Sequence, residues 1–259
     1  MTPNPIKNQF ILTPSFLDEP LLELKSLVQP GWIINEFSLP NGSRQTRIAA
    51  INKRLSQIVV ESILAGRRPV SIAGDCLSAI GVLTGLQRAG ADPFLFWFDA
   101  HGDFNTRETS PSGFLGGMPL AMIVGRGEKT IARAVGLKPM SEARVVLTDA
   151  RDLDPGERES LEQSNVIRLG NPKTLMERPV PDGPVYVHVD TDIIALEEAP
   201  AQNYPAPGGL SGAELEAVFR RLAQKGQIIA VSVSTWNPRL EQAALTEKSS
   251  MSLLESLIF

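Results

Sequence analysis

Two short runs of this sequence carry side chains at the spacing of metal ligands. The first is Asp99-Ala100-His101-Gly102-Asp103, directly after the apolar run 94–98. The second is Asp190-Thr191-Asp192, directly after the apolar run 185–189. A third apolar run, 69–73, leads into Asp75 and Cys76. Carboxylates gathered this closely repel one another unless a cation lies among them or some of them hold a proton. Alternate side chains of an extended segment project to one side, so Asp99, His101 and Asp103 can converge, and Asp190 and Asp192 share that spacing. Several carboxylates with one imidazole suit Mn²⁺ or a similar hard ion. Each short motif taken alone also serves as a turn or a helix cap. Their joint placement at the ends of buried apolar runs is what points to a metal site.

Such residues need a scaffold that brings strand ends together. Apolar runs at 10–13, 32–37, 69–73, 94–98, 145–148, 166–169, 185–189 and 228–233 read as strands. Several lack polar alternation, as strands covered on both faces do. Residues 44–65 place Ile48, Ile51, Leu55, Ile58, Val59 and Ile63 at helical spacing, and Gly66 stands where a helix C-terminal cap belongs. Helices are also expected to about residue 90 after Ser78, at 120–124, weakly at 141–143, at 211–224 with Ser211 as N-cap, and at 251–257. Strands alternating with helices predict an α/β fold with a mostly parallel sheet and helices on both faces. In such sheets functional groups gather beyond the carboxyl ends of the strands. No internal repeat, low-complexity tract or linker divides the chain, which is expected to form a single domain over residues 1–259.

Composition narrows the classes of partner. The chain has 259 residues, with 25 Lys and Arg against 29 Asp and Glu. A net charge of −4 leaves no electrostatic footprint for nucleic acid. The pairs Arg67-Arg68 and Arg220-Arg221 read as helix surface. No run of about 18 apolar residues is present, so no membrane span is expected, and residues 1–12 lack the apolar stretch of a signal peptide. One cysteine, Cys76, is compatible with a reducing, cytoplasmic setting. Gly113, Gly116 and Gly117 are not followed by a Lys in phosphate-loop spacing. His188, two residues before Asp190, reads as a structural histidine beside the site. Trp236 reads as core or pocket wall.

The ordered motifs resemble the arginase/agmatinase/formiminoglutamase (ureohydrolase) family. Asp99-Ala-His101-Gly-Asp103-Phe-Asn105 is similar to the family's Asp-Ala-His-x-Asp signature, and Ser110-Pro-Ser112-Gly-Phe-Leu-Gly116-Gly-Met-Pro to its Ser-Gly-Asn-x-His-Gly-x-Pro loop. Arg151-Asp-Leu-Asp154-Pro-Gly-Glu157, Asp190-Thr-Asp192, Pro205-Ala-Pro-Gly-Gly-Leu210 and Asn237-Pro238 resemble further segments in the same order. Gly74-Asp75-Cys76-Leu-Ser78 matches Gly-Asp-His-Ser imperfectly.

The resemblance implies a three-layer arginase-like fold and an oligomer, and it assigns roles. Asp99 and Asp190 would bridge two metal ions. Asp103 would ligate the first and act as the catalytic group that orients the attacking water, while His101 and Asp192 would complete the second. Cys76 takes the place of a histidine on the first metal, so Zn²⁺ or Ni²⁺ becomes possible beside Mn²⁺, with one or two ions bound. Asn105, Ser112 and Asp154 would hold the polar end of a small-molecule substrate.

Three departures weigh against arginine itself. Gly116 replaces a proton-shuttling histidine, Thr235 a guanidinium-gripping glutamate and Tyr204 a threonine. The expected activity is hydrolysis of a linear C–N bond in a guanidino-, amidino- or amide-like molecule. The alternative is a catalytically disabled relative that serves as a binding or oligomerisation protein.

Overall fold

The computed structural model describes residues 6–234 and 236–259. Eight strands form one sheet: β1 (Lys7–Thr13), β2 (Ile33–Ile34), β3 (Arg67–Ala73), β4 (Phe94–Asp99), β5 (Val145–Asp149), β6 (Ile167–Leu169), β7 (Pro184–Asp190) and β8 (Gln227–Ser234). Their order is β2-β1-β3-β8-β7-β4-β5-β6, and every pairing is parallel. A separate two-stranded antiparallel pair joins Ser15–Phe16 to Glu19–Pro20.

Alternation along the strands builds two apolar layers. Leu95 and Trp97 of β4 enter one core with Ile11, Val145, Leu147, Tyr186 and Ala230, while Phe96 and Phe98 enter the other with Leu12, Val70, Val187 and Val231. Helix α1 (Arg44–Leu64) buries Ile48, Leu55, Ile58 and Val59 on the first face, beside α2 (Ser78–Arg88). Ser43 caps α1 by accepting from Thr46 N, and Gly66 leaves it at φ +67. Between α2 and β5 come α3 (Pro119–Ile123) and α4 (Thr130–Val135), and α5 (Pro155–Glu162) follows β5. Helices α6 (Gly212–Lys225) and α7 (Ala243–Ile258) cover the opposite face. Ser211 and Glu214 close a capping box at the start of α6.

Several expectations need correction. The strand expected over 32–37 shrinks to Ile33–Ile34. Its chain leaves the ladder at Asn35, whose side chain donates to Thr13 Oγ1 and Ile51 O, and Trp32 turns to stack on Phe10. Arg67 and Arg68 lie on β3, not on a helix, and bond to Gln9 and Asn8 of β1. Residues 142–144 form only a 3-10 turn. The last helix starts at Ala243 rather than near 251, in a stretch rich in Ser and Thr that satisfy backbone groups. Helix α5 was not expected, although Asp154-Pro155 is a helix-start signal.

Register decides what the sheet presents. Phe98 pairs with Val189 across β4 and β7, and Ser234 pairs with Asp190 across β8 and β7. Asp99, Asp190 and Ser234 therefore end three neighbouring strands side by side, and the turn after β3 delivers Cys76 to the same edge.

Candidate metal centre

Asp99 anchors the site. It is wholly buried; its Oδ1 accepts from His101 N at 2.7 Å and its Oδ2 from Trp97 Nε1 at 2.8 Å. Burial and the charge of Asp192 push its carboxyl up to about 7 despite the nearby His101. Asp192 sits in a 3-10 turn after β7, where Oδ1 accepts from Ala100 N and Oδ2 lies 2.9 Å from His101 Nδ1. Burial works against a charged imidazole at His101, but the hydrogen bonds and charges of Asp192 and Asp99 outweigh it and push the ring up to about 12. A metal-ligating imidazole is neutral, so an ion here competes with that proton.

On the other side of Asp99 stands Cys76. Its Sγ donates to Asp190 Oδ2 and lies 3.1 Å from Ser234 Oγ. Burial first, then the carboxylates Asp190, Asp103 and Asp99, push the thiol well above its ordinary range. Asp190 Oδ1 accepts from Asp192 N, which ties the two residues of that motif together. Burial and neighbouring carboxylates also raise Asp103 and Asp190 well above the ordinary carboxylate range.

Two donor groups result, and they share Asp99. One joins Cys76, Asp99 and Asp103; the other joins Asp99, His101 and Asp192, with ligand atoms within 4.8 Å of one another in each. Asp190 reaches the first group through its bond with Cys76. The donor chemistry fits a divalent ion. Four carboxylates at most 5% exposed converge with one imidazole, and Asp103 Oδ2 is buried with no hydrogen-bond partner.

The convergence does not come from extended alternation, as the spacing alone implied. Strand β4 ends at Asp99, and Asp103 turns back at φ +48. Two contacts hold that turn: Asp103 O accepts from Leu120 N and Ala121 N, and Glu157 Oε1 accepts from Phe104 N. Glu157 is buried, and burial pushes its carboxyl up to about 7. A Cβ at Gly102 would stand 2.6 Å from Glu157 Oε1, so this close approach requires glycine. Arg151 fixes the neighbouring turns by donating to Asp192 O, Ala206 O and Pro207 O while pairing with Asp149.

Both donor groups open into a cavity of about 740 Å³. Asn105, Ser112 and Asp154 line it, as do Phe16, Phe114 and Tyr204. Asn105 Nδ2 donates to Asp154 Oδ2 at 2.9 Å, and Thr109 Oγ1 donates to Asn105 Oδ1. Ser112 is exposed and accepts from Phe114 N, so its hydroxyl shapes the loop. A side chain at Gly116 would run into the Phe114 ring.

The remaining expectations fall away from the donor groups. Asp75 caps backbone, accepting from Leu17 N and Leu77 N. His188 is fully buried beside Trp97, holds Ser232 at 2.7 Å and is pushed down to about 3 by burial. Trp236 is core. Thr235 lies outside the described residues. Glu157, Phe16 and Phe114 were not singled out from sequence. Glu157 lay within a matched motif, but nothing in the sequence joins Phe16 to Phe114.

The arginase family model matches residues 33–259. The chain belongs to the arginase family. It is 34% identical over 224 residues to the arginase of Bacillus subtilis, covering 82% of this chain and 75% of that one. The N(omega)-hydroxy-L-arginine amidinohydrolase of Streptomyces lavendulae is 30% identical over 209 residues, with 78% and 72% covered. Among solved structures, the arginase of Bacillus cereus superposes with a TM-score of 0.83 at 26% identity, covering 97% and 98% of the two chains. The formimidoylglutamase of Bacillus subtilis shares the fold, with a TM-score of 0.74 at 13% identity over 100% of this chain and 88% of that one. The eight-stranded parallel sheet with helices on both faces is thus the arginase fold.

Proposed function

We propose that this protein hydrolyses a linear C–N bond in a small guanidino-, amidino- or amide-like molecule, with divalent metal held by Cys76, Asp99, His101, Asp103, Asp190 and Asp192. The observation that carries this reading is the pair of donor groups sharing Asp99 on the floor of a cavity. The oxygen-rich donor set favours Mn²⁺, and the sulfur of Cys76 admits Zn²⁺ or Ni²⁺ at the first position. Such ions, when bound, supply water activated for attack at neutral pH.

The chain's own groups do the rest. Asp103, with Oδ2 free of protein partners, orients the attacking water by accepting its hydrogen bond. Asp192 and Asp99 fix the His101 ring on one side of the floor. Asn105 and Asp154, already locked together, offer a polar edge to the substrate. Free arginine and agmatine are poor substrates in this reading. Thr235 brings no charge to pair with a guanidinium, and Tyr204 narrows the cavity.

A second reading, a binding or oligomerisation protein without turnover, is favoured by the Phe114 ring standing where a side chain at 116 would act. One experiment separates the two: ammonia and urea release from a panel of guanidino, amidino and amide compounds by the Mn²⁺-loaded protein. Turnover of any member supports the hydrolase, and silence across the panel supports the second reading. The continuous sheet supports a single domain, and a cytoplasmic homo-oligomer acting on a small molecule, with no nucleic-acid or membrane partner, completes the proposal. No helix among the described residues is long and apolar enough to cross a membrane.

A further inference from the structure

One wall of the cavity is built from three aromatic rings that come from three segments far apart in sequence: Phe16 of the short antiparallel pair, and Phe114 and Tyr204 of two loops. Phe16 and Phe114 stack with centroids 6.4 Å apart and planes 20° from parallel, and Phe114 meets Tyr204 at 5.1 Å and 44°. All three line the same space as Cys76, His101, Asp103, Asp190 and Asp192. Phe114 occupies the volume that a side chain at position 116 would fill, so the loop turns a ring toward the cavity there. Tyr204 is 46% exposed in a chain that buries its other tyrosine, Tyr186, completely.

We infer that the substrate of this site carries an aromatic ring beyond its scissile C–N bond, and that Phe114 and Tyr204 select it. The inference rests on the proposal that this cavity is the substrate site. Rings prefer offset or edge-on neighbours at centroid distances of about 4.5–7 Å, the range in which the wall rings already meet each other. A partly wetted ring at a cavity mouth loses unfavourable hydration when another flat apolar group covers it. The opposite, polar edge of Asn105 and Asp154 remains available to the hydrogen-bonding end of the same molecule. An arylalkyl amide or amidine satisfies both walls.

The test is calorimetric binding to the Mn²⁺-loaded protein, with two probes matched in size: phenylacetamide and cyclohexylacetamide. The flat ring is expected to bind about fivefold more tightly than the saturated one, the worth of one good aromatic pair. Tyr204→Ala, at a half-exposed position, and Phe114→Ala, checked for folding by thermal melting, should each bring the ratio close to one. The corresponding amidines extend the comparison to a charged head group. Equal affinity for the flat and saturated probes, a preference that survives both substitutions, no binding of the aromatic probe, or a gain from the amidinium alone would each overturn the inference. The readout does not need turnover. Aromatic preference without hydrolysis of either amide would count against the hydrolase reading alone, and hydrolysis without aromatic preference would count against this inference alone.

Discussion

Cys76 Sγ donates to Asp190 Oδ2 across 3.1 Å, joining the turn after β3 to the end of β7. The thiol therefore stands among carboxylates that a hard cation would otherwise have to itself. If Cys76 is a ligand, replacing it should change the ion preferred there and leave the second donor group of Asp99, His101 and Asp192 in place.

Cys76→His is expected to raise Mn²⁺ affinity or stoichiometry, because an imidazole suits that ion better than a thiolate does. Competitive titration against a metal-sensitive dye measures it. Unchanged binding would show that Cys76 does not touch the ion.

The metal-free protein should lose stability as pH rises. Burial lifts Asp75 to about 6 and lifts Asp99 and Glu157 to about 7, so the folded state holds protons that the unfolded chain has released. A carboxylate raised in this way favours folding below its unfolded range and stops doing so as pH passes its folded value. His101, pushed up to about 12, has the same sign above the ordinary imidazole range. His188, pushed down to about 3, acts in the opposite direction below that range and is outnumbered. Urea midpoints in chelator should fall between about pH 5 and about pH 7.5, and Mn²⁺ should restore more of the loss at the higher pH. A midpoint that rises with pH in chelator would contradict this.

Gly116→His should destabilise the protein by about 1–3 kcal/mol, as overpacking does, because the Phe114 ring already fills that space. The double substitution with Phe114→Ala should recover most of the loss. Thermal melts of the single and double variants decide, and an undisturbed single variant would show that Phe114 moves aside freely.

Arginine and agmatine should be turned over about a hundredfold more slowly than by an ordinary family member. A buried guanidinium without its charged partner costs on the order of 2–5 kcal/mol, and about 1.4 kcal/mol is tenfold in rate. Steady-state urea release checks this; efficient turnover of either compound would refute it.

Much of the scaffold was legible because buried parallel strands read as unbroken apolar runs and because α1 and α6 carry strong amphipathic periods. Edges were less legible. The pattern of residues 32–37 continues past the point where Asn35 finds side-chain partners and leaves the ladder. The start of α7 is hidden in residues whose hydroxyls, not apolar faces, hold the helix. The strand-end carboxylates were visible as a set, since parallel topology gathers carboxyl ends. Their mode of convergence was not, because it depends on a left-handed turn at Asp103 held through Phe104 N by Glu157, a buried residue of α5. The aromatic wall depends on contacts between segments far apart in sequence, which no local pattern records.

Metal content tests the central claim most directly. After loading with Mn²⁺, Zn²⁺ or Ni²⁺ and removal of free ion, elemental analysis should find at least one ion per chain. Asp99, which both donor groups share, should be the residue whose change to Ala removes the most. A protein that retains no ion under any of the three loadings would contradict the account.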